Sequence, residues 1–255
     1  MNIDIIHFVI VSIIAILLGQ LTLHLTKKLP PVVKEEITYK EFFKSLRNDF
    51  KLDFIYSILY LILFNLILYF NGENLKTYLY LFLSFALVIE TSVDIRFRLI
   101  PDEVHIVIAV LGLINLVFDF QNALNYILGA AVGGGIFLGL GLLSILILKK
   151  EGMGFGDVKL MLSLGFFFGV KNILVVTLIS FVFGAIIGGA LLIIKNKDSD
   201  GYIPFGPFIA IGAAVLMFIP ADAIIDIYIT FCSWLGFKMT DAVYFVAQKF
   251  GLIKY

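Results

Sequence analysis

The chain has 255 residues, of which 61% are hydrophobic and only 15% are charged, and its formal net charge is zero. A soluble domain of this size needs a larger polar shell, so the mean hydropathy of +1.04 predicts that lipid surrounds most of the chain. The balanced charge gives no reason to expect a nucleic-acid partner. Cys232 is the only cysteine, which excludes an internal disulfide and a multi-cysteine zinc site.

Apolar runs recur along the chain, and about 20 apolar residues in a helix cross a bilayer. We therefore predict an all-α fold, a polytopic transmembrane helix bundle of about eight spans. The first run, MNIDIIHFVIVSIIAILLGQ, has no positive segment before it and is expected to be a retained span rather than a signal peptide. The runs lie near residues 3–25, 54–70, 77–93, 104–119, 124–148, 160–170, 173–194 and 205–219.

These runs divide the chain into three segments. Residues 1–53 are expected to form the first span and a short cytoplasmic loop without cysteine, and residues 54–219 a membrane-embedded core. Residues 220–255 are expected to form a partial span or an interfacial tail. The run at 160–170 is short for a crossing, which is typical of a tilted or re-entrant segment.

Lysines and arginines predict the orientation of the bundle. If the first span runs from outside to inside and the others alternate, most of them fall in inside loops, and only Lys76 and Lys171 lie between spans on the outside. Cytoplasmic loops are the ones enriched in Lys and Arg. The loops around Arg96 and Lys149 are therefore predicted to face the cytoplasm.

Glycines four residues apart allow helix backbones to approach closely in lipid. The bundle is therefore expected to pack tightly at three such pairs: Gly129 and Gly133, Gly135 and Gly139, and Gly184 and Gly188.

The loop KKEGMGFGDVKL (149–160) joins Gly154 and Gly156 to an acid, Asp157. Glycine-rich loops bind phosphate through backbone amides at a helix start, but here an acid stands at that start and no Gly-Lys-Ser/Thr ending follows. A phosphate site is therefore excluded. Asp157 is then either a helix N-cap or a functional carboxylate, and the residue alone favours neither.

A second acid, Asp94, lies in VIETSVDIRFRLIPDE near the predicted cytoplasmic end of the third span. Alone it is interpreted as an interfacial charge, and Asp102, which follows Pro101, is interpreted as the cap of the fourth span. Asp94 and Asp157 both fall at cytoplasmic helix ends at matching depth, so a bundle can bring them together. Two close carboxylates share a proton, and such a pair can take a proton from water while polarising a peptide carbonyl. We therefore predict aspartic protease chemistry without a metal, with the glycines leaving room for a substrate backbone beside Asp157.

The remaining polar residues give weaker indications. Glu90, four residues before Asp94 on the same helical face, is either a polar contact or a group that tunes Asp94. Lys159 either favours ionisation of Asp157 or anchors its helix at the lipid headgroups. No metal site is predicted, because the histidines have no ligand spacing: His7, His24 and His105.

Three segments together resemble the type IV prepilin peptidases, which are polytopic aspartic proteases of the GxGD kind. VDIRFRLIPDE (93–103) is similar to the family's first catalytic Asp and the Pro-Asp after it. GMGFGDVKLMLSLGFFFG (152–169) is similar to its second catalytic Asp, with a Lys two residues on. YIPFGPFIAIGA (202–213) is similar to the Phe-Gly-Pro segment that opens the last core span.

This resemblance covers roughly residues 75–219 and implies a site, a substrate and a location. It implies that Asp94 and Asp157 are the catalytic pair of a peptidase core at 54–219. It also implies prepilin or pseudopilin substrates, cut after the leader's Gly on the cytoplasmic side of an inner or plasma membrane. Aspartic protease chemistry itself needs no metal, and no cofactor is expected for the cleavage. The oligomeric state is left open. The residues expected to bind substrate or support the pair are Gly154, Gly156, Lys159, Pro101 and Asp102.

The chain departs from the family in its first loop. Many bacterial members carry two Cys-x-x-Cys pairs there, which bind zinc, and they also N-methylate the new N-terminus. The 26–53 loop contains no cysteine. Methyltransferase activity is therefore doubtful, and S-adenosylmethionine is expected as a cofactor only if methylation is retained.

Two other functions share some of these features. Presenilin-type proteases have a similar Asp pair, but their first Asp typically follows a Tyr, where this chain has Val93. A cation-coupled secondary transporter would also use membrane-level carboxylates and glycine-broken helices. The position of both acids at helix ends and the lack of an inverted repeat favour the peptidase.

Overall fold

The computed structural model describes residues 5–28, 50–149, 152–190 and 203–249, and these contain nine α-helices and no strand. The predicted all-α class is confirmed for this part of the chain. Most of the cysteine-free loop at 26–53, which we predicted to be cytoplasmic, lies outside the described residues. The helices are α1 Ile5–Lys28, α2 Phe50–Asn71, α3 Leu75–Phe97, α4 Asp102–Phe118, α5 Ala123–Leu148, α6 Phe155–Phe168, α7 Val170–Phe183, α8 Gly206–Phe218 and α9 Ala221–Lys249.

Five helices are long and apolar enough to cross a membrane, counting α7 together with the π-helical segment Gly184–Gly188 that continues it. There are six if α8 and the first part of α9 together count as one span. The prediction of about eight spans also used the runs that became α4, α6 and α8, which have 17, 14 and 13 residues. At 1.5 Å per residue, a helix of the length of α6 extends about 21 Å, against about 30 Å for the hydrocarbon core. These shorter helices explain why the number of spans stays a prediction.

Glycines determine how closely the helices of the bundle approach. A Cβ built at Gly129 would collide with the carbonyl oxygen of Gly165, and one at Gly133 with that of Met161, so α5 and α6 touch backbone to backbone. The predicted tight contact is confirmed for this pair. It is wrong for Gly135 and Gly139, because nothing lies within 4 Å of a Cβ at either position.

Short connections make successive helices antiparallel and bring distant segments to the same end of the bundle. The helix α6 packs on both α4 and α5, whereas α3 packs on α4 and α8. The end of α3, the start of α4, the start of α6 and the start of α8 therefore share one end. The two acids predicted to be catalytic lie in two of these four segments.

The chain divides into two compact units, residues 1–218 and 219–255. The second unit contains α9, a continuous helix of 29 residues where we predicted a partial span or an interfacial tail. Its first part carries exposed apolar side chains, among them Ile227 and Phe237.

Candidate active site

Asp94 lies in the last turn of α3 and is buried, with 3% of its surface exposed. Its Oδ2 accepts a hydrogen bond from the backbone N–H of Gly206 at 3.0 Å. The helix ends directly after it, because Arg98 adopts a left-handed conformation (φ 55°) and its N–H bonds to the carbonyl of Asp94 at 2.8 Å. The start of α8 thus binds the carboxylate of Asp94, whereas the end of α3 involves only the backbone carbonyl of this residue.

Asp157 lies in the first turn of α6 and is 5% exposed. Interpreting it as the N-cap is wrong, because Gly154 holds the cap position and the Asp157 N–H bonds to the Gly154 carbonyl at 3.2 Å. The side chain is therefore not used to begin the helix. Asp157 is close enough to Asp94 for a direct electrostatic interaction between the two carboxyls.

Gly156 places the start of α6 against the turn between α3 and α4. A Cβ at this position would lie 3.2 Å from the Cβ of Ile100, a tighter contact than side chains normally make. The absence of a side chain therefore has a packing function, since it lets the Asp157 turn approach the segment that follows Asp94. Gly154 has φ −70° and ψ 143°, a conformation open to any residue. That these glycines also give a substrate backbone room stays a prediction.

The predicted supporting residues Asp102 and Lys159 are joined to each other. Lys159 Nζ lies 2.7 Å from Asp102 Oδ1, in an ion pair whose two side chains are 40% and 68% exposed. The hydrogen bond and the charge of Lys159 hold the pKa of Asp102 below its ordinary value. This pair connects the start of α4 to the start of α6.

This geometry corrects the interpretation of Asp102 and gives Lys159 a partner that the sequence did not indicate. Asp102 is not the cap of its helix, because Pro101 occupies that position (φ −66°, ψ 139°) and makes no side-chain cap hydrogen bond. Asp102 is the first helical residue, so its carboxylate is free to bind a cation. The described partner of Lys159 is this carboxylate rather than Asp157.

Two residues contribute more to the site than the sequence indicated. Glu90 is completely buried, and it interacts electrostatically with Asp94 and with Asp157. Its position four residues before Asp94 was the signal, and of its two interpretations the tuning of Asp94 has geometric support. Gly206 lies in the Phe-Gly-Pro segment, but no pattern in the sequence indicated that its N–H binds Asp94, 112 positions earlier.

Among the described residues, the histidines and the cysteine take part in no arrangement of metal ligands. His7 pairs with Glu73 at 3.1 Å, and Cys232 is exposed on α9. His105 is buried one turn after Asp102. Within the described ranges no group of three or more His, Cys, Asp and Glu side chains is arranged to hold a metal ion. The absence of a metal site stays a prediction.

The site thus contains two buried aspartates from different helices, and no Lys or Arg of the described chain forms an ion pair with either. Buried carboxyls without cations are expensive to ionise together, so one proton is expected to stay in the pair. An arrangement with one ionised and one neutral carboxyl can accept a proton at one atom and donate one at another.

Comparison with known proteins gives the same indication as the geometry. Residues 78–189 match the model of the type IV leader peptidase family. The chain is 38% identical over 150 residues to a prepilin leader peptidase/N-methyltransferase of Xanthomonas campestris pv. campestris, covering 58% of this chain and 52% of that protein. Proteins with the same name from Aeromonas hydrophila (34% over 151 residues, 59% and 52% covered) and Pseudomonas aeruginosa (35% over 163 residues, 62% and 53% covered) are also similar.

The chain spans about half the length of the curated relatives it matches. No solved structure matches it. The matched region contains the end of α3 and the start of α6 with both aspartates, as the resemblance implied, and the recognition is confirmed. The segment of residues 78–189, with Asp94 and Asp157, is therefore similar to the type IV leader peptidase family.

Proposed function

We propose that this protein is a membrane aspartic endopeptidase that removes the leader peptide of type IV prepilins or pseudopilins. The observation that carries this proposal is the position of Asp94 and Asp157, both buried, at the same end of the bundle. Similarity of the matched region to the type IV leader peptidase family supports the substrate class.

In the proposed mechanism the two carboxyls hold one proton and use water as the only co-reactant. The ionised aspartate takes a proton from water, whose oxygen bonds to the scissile carbonyl carbon while the neutral aspartate gives its proton to the carbonyl oxygen. The tetrahedral intermediate then breaks its C–N bond, and the aspartate that took the proton from water gives it to the leaving amine. The remaining hydroxyl proton returns to the other aspartate, which restores the pair.

The basic residues support a site that faces the cytoplasm. Arg96, Arg98 and Lys159 lie at the end of the bundle that holds the two aspartates, whereas Lys76 and Lys171 lie at the opposite end. Since Lys and Arg are enriched on the cytoplasmic side, this distribution favours a multi-pass protein of the inner or plasma membrane with its aspartates inside.

A test of the proposal uses the full chain, purified and reconstituted in vesicles with a prepilin substrate. Asp94→Asn and Asp157→Asn keep the shape of each side chain but remove its proton chemistry, so we expect each to lower the cleavage rate by about a thousandfold. Asp226→Asn, which changes an exposed carboxyl of α9, is the matched control and should cleave normally. Normal cleavage by either aspartate variant would contradict the mechanism.

Methylation is tested in the same preparation. We propose that the protein cleaves its substrate without methylating the product, because hydrolysis needs water alone and the 26–53 loop has no cysteine. The mass of the product formed with and without S-adenosylmethionine should be the same. An added methyl group would overturn this part of the proposal.

A further inference from the structure

Glu90 is the third buried carboxyl at this end of the bundle, one helical turn before Asp94 on α3. Its Oε2 accepts a hydrogen bond from the Thr91 hydroxyl at 3.2 Å. Its Oε1 is buried and has no hydrogen-bond partner among the described residues. A buried polar atom without a partner is costly, so its presence beside the proposed catalytic pair requires an explanation.

Gly206 shows where this unpartnered oxygen is directed. A Cβ built at Gly206 would collide with Glu90 Oε1 and would lie 2.7 Å from Asp94 Oδ2. Both oxygens therefore face the same point beside the backbone of α8. The N–H of Gly206 is donated to Asp94, so it does not satisfy Glu90.

The charges around Glu90 favour its neutral form. It interacts electrostatically with Asp94 and Asp157, and neither of the described ion pairs includes it. A third buried negative charge beside two acids would carry a large desolvation and repulsion cost. A neutral carboxyl has an O–H donor, which an ionised one lacks.

From this geometry we propose that Glu90 is a positioning residue whose neutral carboxyl donates a hydrogen bond to Asp94 and keeps Asp94 the ionised member of the pair. The inference rests on the proposed peptidase function and adds to it which aspartate of the pair is ionised and which is neutral. Asp94 then accepts hydrogen bonds from Gly206 and from Glu90, and donors to a carboxylate favour its ionised form. Asp157 is then the neutral acid that polarises the peptide carbonyl.

The kinetic test separates hydrogen-bond donation from the other possible functions of the side chain. Glu90→Gln keeps an N–H donor and the size of the side chain, whereas Glu90→Leu keeps the approximate size and loses the donor. We expect the Gln variant to retain kcat within about threefold and the Leu variant to lose about tenfold to a hundredfold in kcat, with KM little changed, as for one hydrogen bond to a charged group.

Two kinetic outcomes would overturn the proposal. If Glu90→Leu cleaves as fast as the unaltered protein, Glu90 only fills space. If Glu90→Gln is as slow as Glu90→Leu, the carboxyl itself is required, as in a proton relay, and donation is not its function. Glu103→Gln, which alters an exposed acid at the start of α4, is the matched control and should leave kcat unchanged.

Infrared spectroscopy tests the inference without any cleavage assay, and it needs neither substrate nor an active enzyme. At neutral pH, the infrared difference spectrum between the unaltered full-chain protein and Glu90→Gln should show the loss of one C=O band of a neutral carboxyl. In Asp94→Asn that band should shift, because its acceptor has changed from a carboxylate to an amide. Loss of carboxylate bands alone, or an unshifted band in Asp94→Asn, would overturn the inference.

The two methods distinguish failure of this inference from failure of the proposed function. If the unaltered protein does not cleave prepilin, the proposed function is wrong, and if Asp94→Asn and Asp157→Asn still cleave normally, its aspartic mechanism is wrong. In either case the infrared result decides the protonation and the partner of Glu90 independently. If both aspartate variants are inactive but Glu90 shows only carboxylate bands, the peptidase mechanism stands and the donor role fails.

Discussion

The two ends of the bundle use polar side chains in opposite ways. We name the end that holds Asp94 and Asp157 the aspartate end, and the opposite end, which holds Asn115 and Asn125, the amide end. At the amide end, Asn115 Nδ2 donates to the Phe167 carbonyl at 3.1 Å, and Asn125 Oδ1 accepts the N–H of Val170 at 3.1 Å. These amides connect neighbouring helices through hydrogen bonds between neutral groups.

The acids of the two ends show the difference most clearly. Asp119, at the amide end, accepts hydrogen bonds from the Tyr126 hydroxyl at 2.7 Å and from the Asn122 amide at 3.0 Å. These donors, Tyr126 first, hold the pKa of Asp119 below its ordinary value. Asp94 is more deeply buried, but among the described residues its carboxyl accepts a single hydrogen bond, from the N–H of Gly206. A well-bonded acid stabilises structure, whereas a buried acid with few partners is available for chemistry.

Among substitutions that leave both aspartates in place, the largest effect is expected from adding one methyl group at the aspartate end. In Gly206→Ala, the new Cβ would collide with Glu90 and crowd Asp94, so α8 or the carboxyls must move. Displacement of about 1 Å in a catalytic group costs about a hundredfold in rate, and we expect a loss of that size in prepilin cleavage. The matched control is Gly135→Ala, where nothing lies within 4 Å of the Cβ, and its rate should be unchanged. Equal rates for the two variants would show that the aspartate end tolerates disorder of its carboxyls.

Substitutions at the amide end should lower the stability of the protein and leave its cleavage rate unchanged. Asn125→Ala removes the acceptor for the first N–H of α7, and loss of such a capping interaction costs about 1 kcal/mol. We expect a lower midpoint of thermal unfolding in detergent with kcat for cleavage unaltered. Gln121→Ala, at an exposed position of the preceding turn, should change neither quantity. A large fall in kcat for Asn125→Ala would contradict the division between the two ends.

The local chemistry of the sequence was sufficient to predict the helices and the two aspartates. Apolar runs bounded by charges became α1, α2, α3, α5 and α7, because length and hydropathy alone specify a span. The residues at which the helices begin were harder to predict from the sequence. Asp157 and Asp102 both have the sequence context of N-caps, yet Gly154 and Pro101 hold the cap positions. The Asp157 side chain is buried in the bundle, and the Asp102 side chain pairs with Lys159.

The contacts that complete the site depend on packing between distant segments, which the sequence does not indicate. Gly206 reaches Asp94 across 112 positions, and Gly156 is opposed by Ile100 from the turn after α3. Glycine patterns were an incomplete guide for the same reason. Gly129 meets Gly165 on α6, whereas Gly135 has the same spacing to its neighbour and faces open space. The identity of the opposing helix decides which small residue matters.

The smallest effect is expected from the exposed ion pair of the aspartate end, although both of its residues belong to the predicted site. Ion pairs between exposed side chains contribute little, so Asp102→Asn and Lys159→Met should change cleavage by only a few-fold at low salt, and less at high salt. The folded-state pKa of Asp102 lies below its ordinary value of about 3.9. The contribution of the ion pair to stability is therefore present above this ordinary value, and it is lost as the pH falls through the folded-state pKa. Between pH 6 and pH 8 the effect of either substitution should therefore be constant, as cleavage rates measured across this range in both variants would show. A loss as large as that expected for Asp94→Asn would mean that this exposed pair, and not burial alone, positions the aspartates.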